Sequence, residues 1–147
     1  GKNFTLPSEA QWEYACRAGT RTPFYFGNTI STNQANYHGN YTYGNGSKGV
    51  YRVKTIEVGS FAPNAFGLYD MHGNVWEWCL DWYDEKFYGK AATREQNPVN
   101  NNQGDYRVLR GGSWVSIPGI CRSAYRGRCY PTSRSDGGGF RVVSFPP

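Results

Sequence analysis

Apolar residues follow a helical period in one clear place near the start of the chain. Ser8 precedes Gln11 by three positions, the spacing of a capping box at a helix N-terminus. Gly19 is typical of the residue that follows a helix. The pattern predicts a helix of about three turns, and its apolar face consists of Trp12, Ala15 and Cys16.

Strict alternation, the pattern of a β-strand, occurs once with large aromatic side chains. Trp76, Trp78 and Leu80 alternate with Glu77, Cys79 and Asp81. We expect a strand whose aromatic face lies in the core. Weaker apolar runs predict further strands over residues 50–58, 106–114 and 139–144.

The remaining segments, chiefly 20–64 and 84–104, are rich in Gly, Asn, Ser and Thr and predict loops. Loops of this length inside a compact domain are usually functional or held by something such as a metal. His38 and His72 are the only histidines, and both are expected to be surface or turn residues that do not come together. The elements together predict an α+β, loop-rich fold.

Composition restricts the classes of function. The 147 residues suit one domain with one core, and 19 Gly, 12 Tyr, 8 Phe and 5 Trp suit a loop-rich domain with an aromatic interior. The net charge is +5, yet no run of basic residues resembles a nucleic-acid-binding cluster, so no nucleic-acid partner is expected. No apolar run is long enough for membrane insertion. Structural or rim roles are expected for the arginines of the last third, Arg107, Arg110, Arg122, Arg126, Arg128 and Arg134.

Four cysteines are spaced neither as paired metal ligands nor as a disulfide framework. Cys16 and Cys79 lie in apolar stretches, where buried thiols are the natural interpretation. Free buried thiols favour a reducing, cytoplasmic compartment slightly, although the compartment stays open.

Five blocks of sequence, in this order, resemble the formylglycine-generating or sulfatase-modifying enzymes. The resemblance implies one C-type-lectin-like domain over residues 1–147. That family has further sequence and its first strands before the Leu-Pro-Ser-Glu block, so the N-terminal part of the domain is expected to be missing. The blocks are residues 6–15, 64–70, 73–78, 110–114 and 139–141.

The enzymes of that family hold copper with two cysteines, and the matching positions here are Ser116 and Cys121. A hydroxyl does not replace a thiolate as a soft ligand for cuprous copper. No copper and no catalysis are therefore expected. The alternative is a copper oxidase acting on a peptide cysteine, in which an unrecognised partner such as Cys129 would complete the site.

The segment 107–142 also resembles the variable region of diversity-generating retroelement proteins, in which Asn codons of a template are changed at adenines. Residues such as Arg122, Arg126 and 139–141 match the fixed frame of such regions. The resemblance implies a diversified surface that binds an unknown ligand, presumed here to be a protein or a cell-surface molecule. The candidate variable residues, all reachable from such a codon, are Val115, Ser116, Ile117, Ile120, Tyr125, Gly127, Cys129, Tyr130, Ser133, Ser135, Asp136, Gly137 and Gly138.

Tyr, Ser and Gly together suit a binding surface, because Tyr gives rigid contact area and Ser and Gly adapt to the partner. Two other interpretations stay open. The segment is an ordinary Gly/Ser surface loop in one of them. In the other, the domain is a structural interaction module fused to an effector domain outside this sequence.

A structural calcium is a further expectation. Asp70 and Glu77 are hard oxygen donors on either side of a Gly-Asn turn. The resemblance implies calcium bound by the side chains of Asp70 and Glu77 and by the backbone carbonyls of Gly73 and Val75.

Overall fold

Residues 3–90 and 96–145 are described by the structure, a computed structural model. Most of them lie in loops, as the sequence predicts for a loop-rich α+β chain. Two single-turn 3-10 helices, Phe87–Gly89 and Pro118–Cys121, interrupt the loops. The regular elements are β1 (Asn3–Thr5), α1 (Glu9–Arg17), β2 (Trp76–Trp82), β3 (Arg107–Arg110), β4 (Gly127–Cys129), β5 (Gly138–Gly139) and β6 (Val143–Phe145).

Helix α1 confirms the capping prediction. The Ser8 hydroxyl accepts the Gln11 N–H at 3.1 Å, and the Ser8 N–H donates to the Gln11 side chain at 2.9 Å. The helix ends at Ala18, which adopts a left-handed conformation with φ 44°, just before Gly19. Trp12 and Cys16 on the predicted face are buried.

The strands form two sheets. The larger has the order β4-β3-β2-β5, in which β3 pairs antiparallel with β2 and β4, and β5 pairs parallel with β2. Strands β1 and β6 pair antiparallel, so the two ends of the described chain lie side by side. In the larger sheet β4 and β5 are edge strands among the described residues.

The prediction for β2 was right in its alternation but wrong about which face is buried. Glu77, Cys79 and Asp81 are buried, whereas the aromatic face of the strand is only half-buried. Buried carboxylates are tolerated because each has strong partners. Asp81 accepts the backbone N–H groups of Glu9 at 2.7 Å and Asn100 at 2.9 Å.

Of the three other strand predictions, the one over 50–58 was wrong and the other two were partly correct. No strand forms over 50–58, because side chains take the place of a strand partner: Thr32 accepts from the Val50 N–H and Asn74 from the Ile56 N–H. The strand predicted over 106–114 ends at Arg110, since the next two glycines have φ of 91° and 73°. The segment 139–144 is divided between β5 and β6.

Two apolar clusters form the interior. Cys16 and Cys79 belong to the first, as predicted, and burial raises the pKa of Cys16 to about 12. The first cluster contains Trp12, Cys16, Met71, Cys79 and Val108, and the second contains Phe24, Ile30, Ala35, Tyr37 and Cys121. No helix in the described ranges is long and apolar enough to cross a membrane.

His72 corrects the expectation that both histidines are surface or turn residues. It is buried beside the rings of Phe24 and Tyr25, with centroids 5.3 Å and 5.1 Å away. Nδ1 bonds the Cys121 carbonyl at 2.7 Å, and Nε2 accepts the Tyr25 N–H at 3.1 Å. This arrangement fits a neutral imidazole only, and burial lowers the pKa of His72 to about 4.

We predict that His72 makes the fold sensitive to acid. Its folded pKa lies below the ordinary value of 6.5, so its full contribution to stability is present above pH 6.5 and is lost as the pH falls towards 4. The loss should reach about 3 kcal/mol of unfolding free energy. Urea unfolding between pH 7.5 and 4.5 measures it, and His72→Gln should show the smaller pH dependence. Equal pH dependence in both proteins would contradict the prediction.

Candidate functional site

A cavity of about 950 Å³ lies over the half-buried face of the larger sheet. Trp76 and Trp78 of β2 and Leu109 of β3 form its apolar floor, and Tyr125 stands beside Trp76 with ring centroids 6.1 Å apart. The face that the sequence assigned to the core is therefore the floor of a cavity. Other residues lining it are Tyr83, Glu85, Arg126, Gly127, Arg128, Cys129, Ser133, Arg134, Ser135, Gly137, Gly138, Gly139 and Phe140.

Glycines of β4 and β5 allow close approach of Val75 and Trp76 to the neighbouring strands. A Cβ at Gly127 would stand 2.7 Å from a ring carbon of Trp76. A Cβ at Gly139 would stand 2.8 Å from Val75 Cγ2, and the backbone of Gly137 accepts the Trp76 N–H at 2.7 Å. At Gly138, in contrast, a Cβ meets only ordinary contacts, the nearest at 3.5 Å.

Arg126 fixes one wall of the cavity to helix α1. Its Nε and Nη2 donate to the two carboxylate oxygens of Glu9, both at 2.7 Å, and Nη1 donates to the Asp84 carbonyl at 2.9 Å. Burial by itself lowers the pKa of Arg126, but its bonds to Glu9 outweigh burial and the net shift is upward. Arg126 is therefore a charged wall residue whose charge is already neutralised.

Arg128 stands on the same wall and forms no ion pair with any residue that the structure describes. Its guanidinium carbon lies 5.0 Å from the centre of the Tyr83 ring and 5.2 Å from that of Tyr106. Tyr106 in turn stacks against Tyr130 at 4.4 Å and donates its hydroxyl hydrogen to the Tyr130 hydroxyl at 2.9 Å. Aromatic contacts thus hold this arginine in place at the rim.

The predicted variable residues fall into two groups in space. Tyr125, Gly127, Cys129, Ser133, Ser135, Gly137 and Gly138 line the cavity, and Tyr130 and Asp136 are exposed beside them in the chain. Val115 and Ile117 are exposed elsewhere, next to the His38 loop, since the Ser116 carbonyl accepts the His38 N–H at 2.9 Å. Ile120 is half-buried in the 3-10 helix Pro118–Cys121.

Ser116 lies differently from its exposed neighbours. It is buried, and its hydroxyl accepts the Ser113 N–H at 3.0 Å and lies 3.4 Å from the Ser113 hydroxyl oxygen. Those bonds stabilise the turn from Ser113 to Ser116, which directly follows Gly111 and Gly112. Its side chain therefore has a structural role in this arrangement.

Cys121 and Cys129 occupy separate environments. Cys121 is fully buried in the second apolar cluster, and burial raises its pKa to about 12. Cys129 is half-buried in β4, opposite Arg107, and lines the cavity. All four cysteines are free thiols, and Cys129 is the one among them that the cavity exposes.

The four residues predicted to bind calcium offer oxygen atoms, and protein N–H groups already bond some of these oxygens. Glu77 Oε2 accepts from Trp12 Nε1 and from Arg141 Nε, each at 2.6 Å, and Oε1 accepts from Arg141 Nη2 at 2.6 Å. Asp70 Oδ2 accepts the Gly59 N–H at 2.7 Å. Glu77 Oε1 and Asp70 Oδ1 keep lone pairs, so the donor set fits a calcium ion chemically. Arg141 already neutralises the Glu77 carboxylate, and this ion pair lowers the electrostatic free energy that calcium binding would gain there.

Sequence reasoning missed the floor of the cavity and the partner of Arg126 in its wall. Trp76 and Trp78 were assigned to the core, although the alternating Glu77 and Asp81 were a signal that the opposite face had polar partners to reach. The wall role of Arg126 had no local signal, because Glu9 lies 117 positions away.

Comparisons with known proteins converge on one family. The model of the sulfatase-modifying factor enzyme 1-like domain matches residues 1–145. The serine/threonine-protein kinase Pkn1 of Chlamydia pneumoniae is 40% identical over 139 residues, covering 94% of this chain and 20% of that protein. The formylglycine-generating enzyme of Streptomyces coelicolor is 36% identical over 147 residues, covering 95% of this chain and 46% of the enzyme.

A solved structure resembles the fold closely. Treponema denticola variable protein 1 superposes with a TM-score of 0.77 at 35% identity, covering 99% of this chain and 49% of that one. The likeness confirms the predicted fold class. The chain spans a fifth to about half of the length of these relatives.

We predict that two cavity glycines, Gly127 of β4 and Gly138 of β5, differ sharply in their tolerance of a side chain. Gly127→Ala should lower the unfolding free energy by about 1–3 kcal/mol, because its methyl group collides with Trp76. Gly138→Ala, its matched control, should change it by less than about 0.5 kcal/mol. Urea unfolding compares them. Equal costs would mean that the Trp76 ring moves aside into the cavity freely.

Proposed function

The chain belongs to the sulfatase-modifying factor enzyme 1-like domain family, and from this premise we propose that it is a non-catalytic member that binds a ligand in the cavity over Trp76 and Trp78. The proposal includes the expectation that its specificity comes from a diversified set of surface residues. The cavity itself is the observation that carries the proposal, because it brings together residues that the sequence singled out for binding.

The position of the predicted variable residues supports binding. Seven of the thirteen line the cavity, and the side chains of Ser133 and Ser135 at its rim are exposed. Residues whose side chains carry few scaffold contacts can change without unfolding the domain. Likeness to a variable protein of Treponema denticola agrees with this interpretation.

The chemistry of two positions argues against the oxidase alternative. Ser116 offers a hydroxyl that already bonds Ser113, and Cys121 is a fully buried thiol that stays protonated at neutral pH. Cys129, the other thiol that the oxidase alternative would need, stands in the cavity wall and not in the cluster around Cys121. A two-thiolate copper site has no second thiolate at these positions.

A second candidate function follows from the kinase relative. The region similar to this chain makes up a fifth of Pkn1 of Chlamydia pneumoniae. We propose, as an alternative, that the domain serves as the recognition module of a larger protein that carries its catalytic activity elsewhere. Both candidates use the same cavity, and they differ in what is attached to it.

Calcium at Asp70, Gly73, Val75 and Glu77 remains a prediction. It would tie the loop at Asp70 to the start of β2 and so hold the edge of the cavity in place. Its role would be structural, because these residues lie outside the cavity lining.

We predict that a peptide selected from a random display library for binding to the intact chain will occupy the cavity. Bound peptide should slow alkylation of Cys129 by iodoacetamide, because Cys129 lines the cavity and the other three thiols are buried. Tyr125→Ser should weaken binding by about tenfold or more. It should cost less than about 1.5 kcal/mol of unfolding free energy.

Tyr14→Ser provides the matched control, since Tyr14 is 70% exposed on helix α1 and lies outside the cavity lining. It should leave peptide affinity and Cys129 protection unchanged. Selected peptides that bind without protecting Cys129, or that respond equally to both tyrosine variants, would place the binding surface elsewhere.

We predict that the chain holds no tightly bound cuprous copper. After loading with cuprous glutathione and desalting, wild type should retain no more metal than Cys121→Ser or Cys129→Ser, as measured by atomic absorption. A cysteine-containing peptide should stay unoxidised in air. Stoichiometric copper that either variant loses would restore the oxidase alternative.

A further inference from the structure

Building on the proposed binding function, we propose that the cavity recognises an acidic segment of a partner protein. An aromatic side chain of the segment rests on Trp76, Trp78 and Tyr125, while neighbouring carboxylates bond Arg128 and Arg134. The ligand class is thus set by cavity residues that lie outside the thirteen predicted variable positions, apart from Tyr125.

The floor is suited to an aromatic guest. Trp76 and Trp78 are half-buried on the larger sheet, and both line the cavity. Neither indole N–H has an acceptor among the described residues, unlike that of Trp12, which bonds Glu77. Large flat rings with free N–H groups offer both stacking area and hydrogen bonds to an incoming ring or peptide carbonyl.

Arg128 is held ready to bond a carboxylate. Its guanidinium lies over the rings of Tyr83 and Tyr106, and these contacts restrain it without using its N–H groups. No side-chain N–H of Arg128 bonds an acceptor within residues 3–90 and 96–145. A guanidinium restrained in this way can bond a carboxylate through two parallel hydrogen bonds at little further entropic cost.

The balance of unpaired charge at the cavity is positive. Arg126 is neutralised by Glu9, whereas Arg128 and Arg134 take part in no ion pair with any described residue. Glu85 is the one acidic residue of the lining. An anionic segment therefore finds two cations and one carboxylate, within a chain whose net charge is +5.

The setting favours a protein segment over nucleic acid. Strand β4 lines the cavity and is an edge strand within the described part of the chain, so an extended peptide has backbone groups with which to pair. A nucleic-acid strand needs a row of cations along its phosphates. The cavity lining offers two arginines without an ion pair to any described residue, and it also contains the Glu85 carboxylate. Stacking alone does not separate the two classes, so the experiment includes both.

The test measures fluorescence polarisation of labelled pentapeptides with the intact chain. Glu-Glu-Trp-Glu-Glu should bind. Replacing the Trp of this peptide by Ala should weaken binding about thirtyfold. Replacing all four Glu residues by Lys should abolish binding. Each of Arg128→Gln and Arg134→Gln should weaken the acidic probe about fivefold. Arg128→Lys should lie between wild type and Arg128→Gln, because lysine keeps the charge and loses the two-pronged geometry.

Arg21→Gln is the matched control, since Arg21 is exposed and lies outside the cavity lining. It removes the same net charge and should leave the affinity for the acidic probe within about twofold. An equal loss in Arg21→Gln and Arg128→Gln would show general charge attraction only and would overturn the proposal.

Protection of Cys129 from alkylation separates failure of this inference from failure of the proposed function. Library peptides that protect Cys129 but lack acidic and aromatic residues would overturn the ligand class and keep the binding site. Absence of any protecting peptide would overturn both. Tighter binding of an oligothymidylate of about eight nucleotides than of the acidic peptide would replace the protein partner with a nucleic acid.

Discussion

The buried carboxylate of Glu9 is the constraint on which the arrangement of the domain depends. It is 1% exposed, bonds Arg126 with both oxygens, and has Arg110 Nε at 3.3 Å, an ionic contact without hydrogen-bond geometry. Its own backbone N–H donates to Asp81 of β2. The first turn of α1 is thereby joined to β2, to β3 and to the cavity wall. Removing one partner of such a buried pair typically costs about 3–5 kcal/mol.

This network explains why β2 turns its carboxylates inward. Arg110 is fully buried and also bonds Glu13 and the Tyr125 carbonyl. Glu77 has an equivalent arginine in Arg141. Glu77 and Asp81 bond their partners on the buried face of β2. Because side chains alternate along a strand, Trp76 and Trp78 lie on the opposite face. The aromatic cavity is thus a consequence of polar burial beneath it.

The sequence predicted what local chemistry determines. The capping box of α1 needs only residues three positions apart, and the burial of Cys16 follows from helical periodicity. The burial of β2 depends on Glu9, Arg110 and Arg141, which lie far away in the chain, so alternation alone could not tell its two faces apart. His72 was missed for the same reason, since the aromatic residues around it come from a segment without periodicity.

The proposed function requires that scaffold bonds lie mainly outside the predicted variable residues, and most of the contacts agree with this division. Arg126, Ser123 and Arg141 of the fixed frame carry ion pairs or buried hydrogen bonds. Among the described residues, Ser133, Ser135 and Asp136 bond only residues within three positions in the chain. Ser116, Gly127 and Gly137 are the exceptions, because each meets a fixed group at close range. The proposed function therefore places the freedom to vary chiefly at the rim of the cavity, above the floor of Trp76 and Trp78 and beside Arg128 and Arg134.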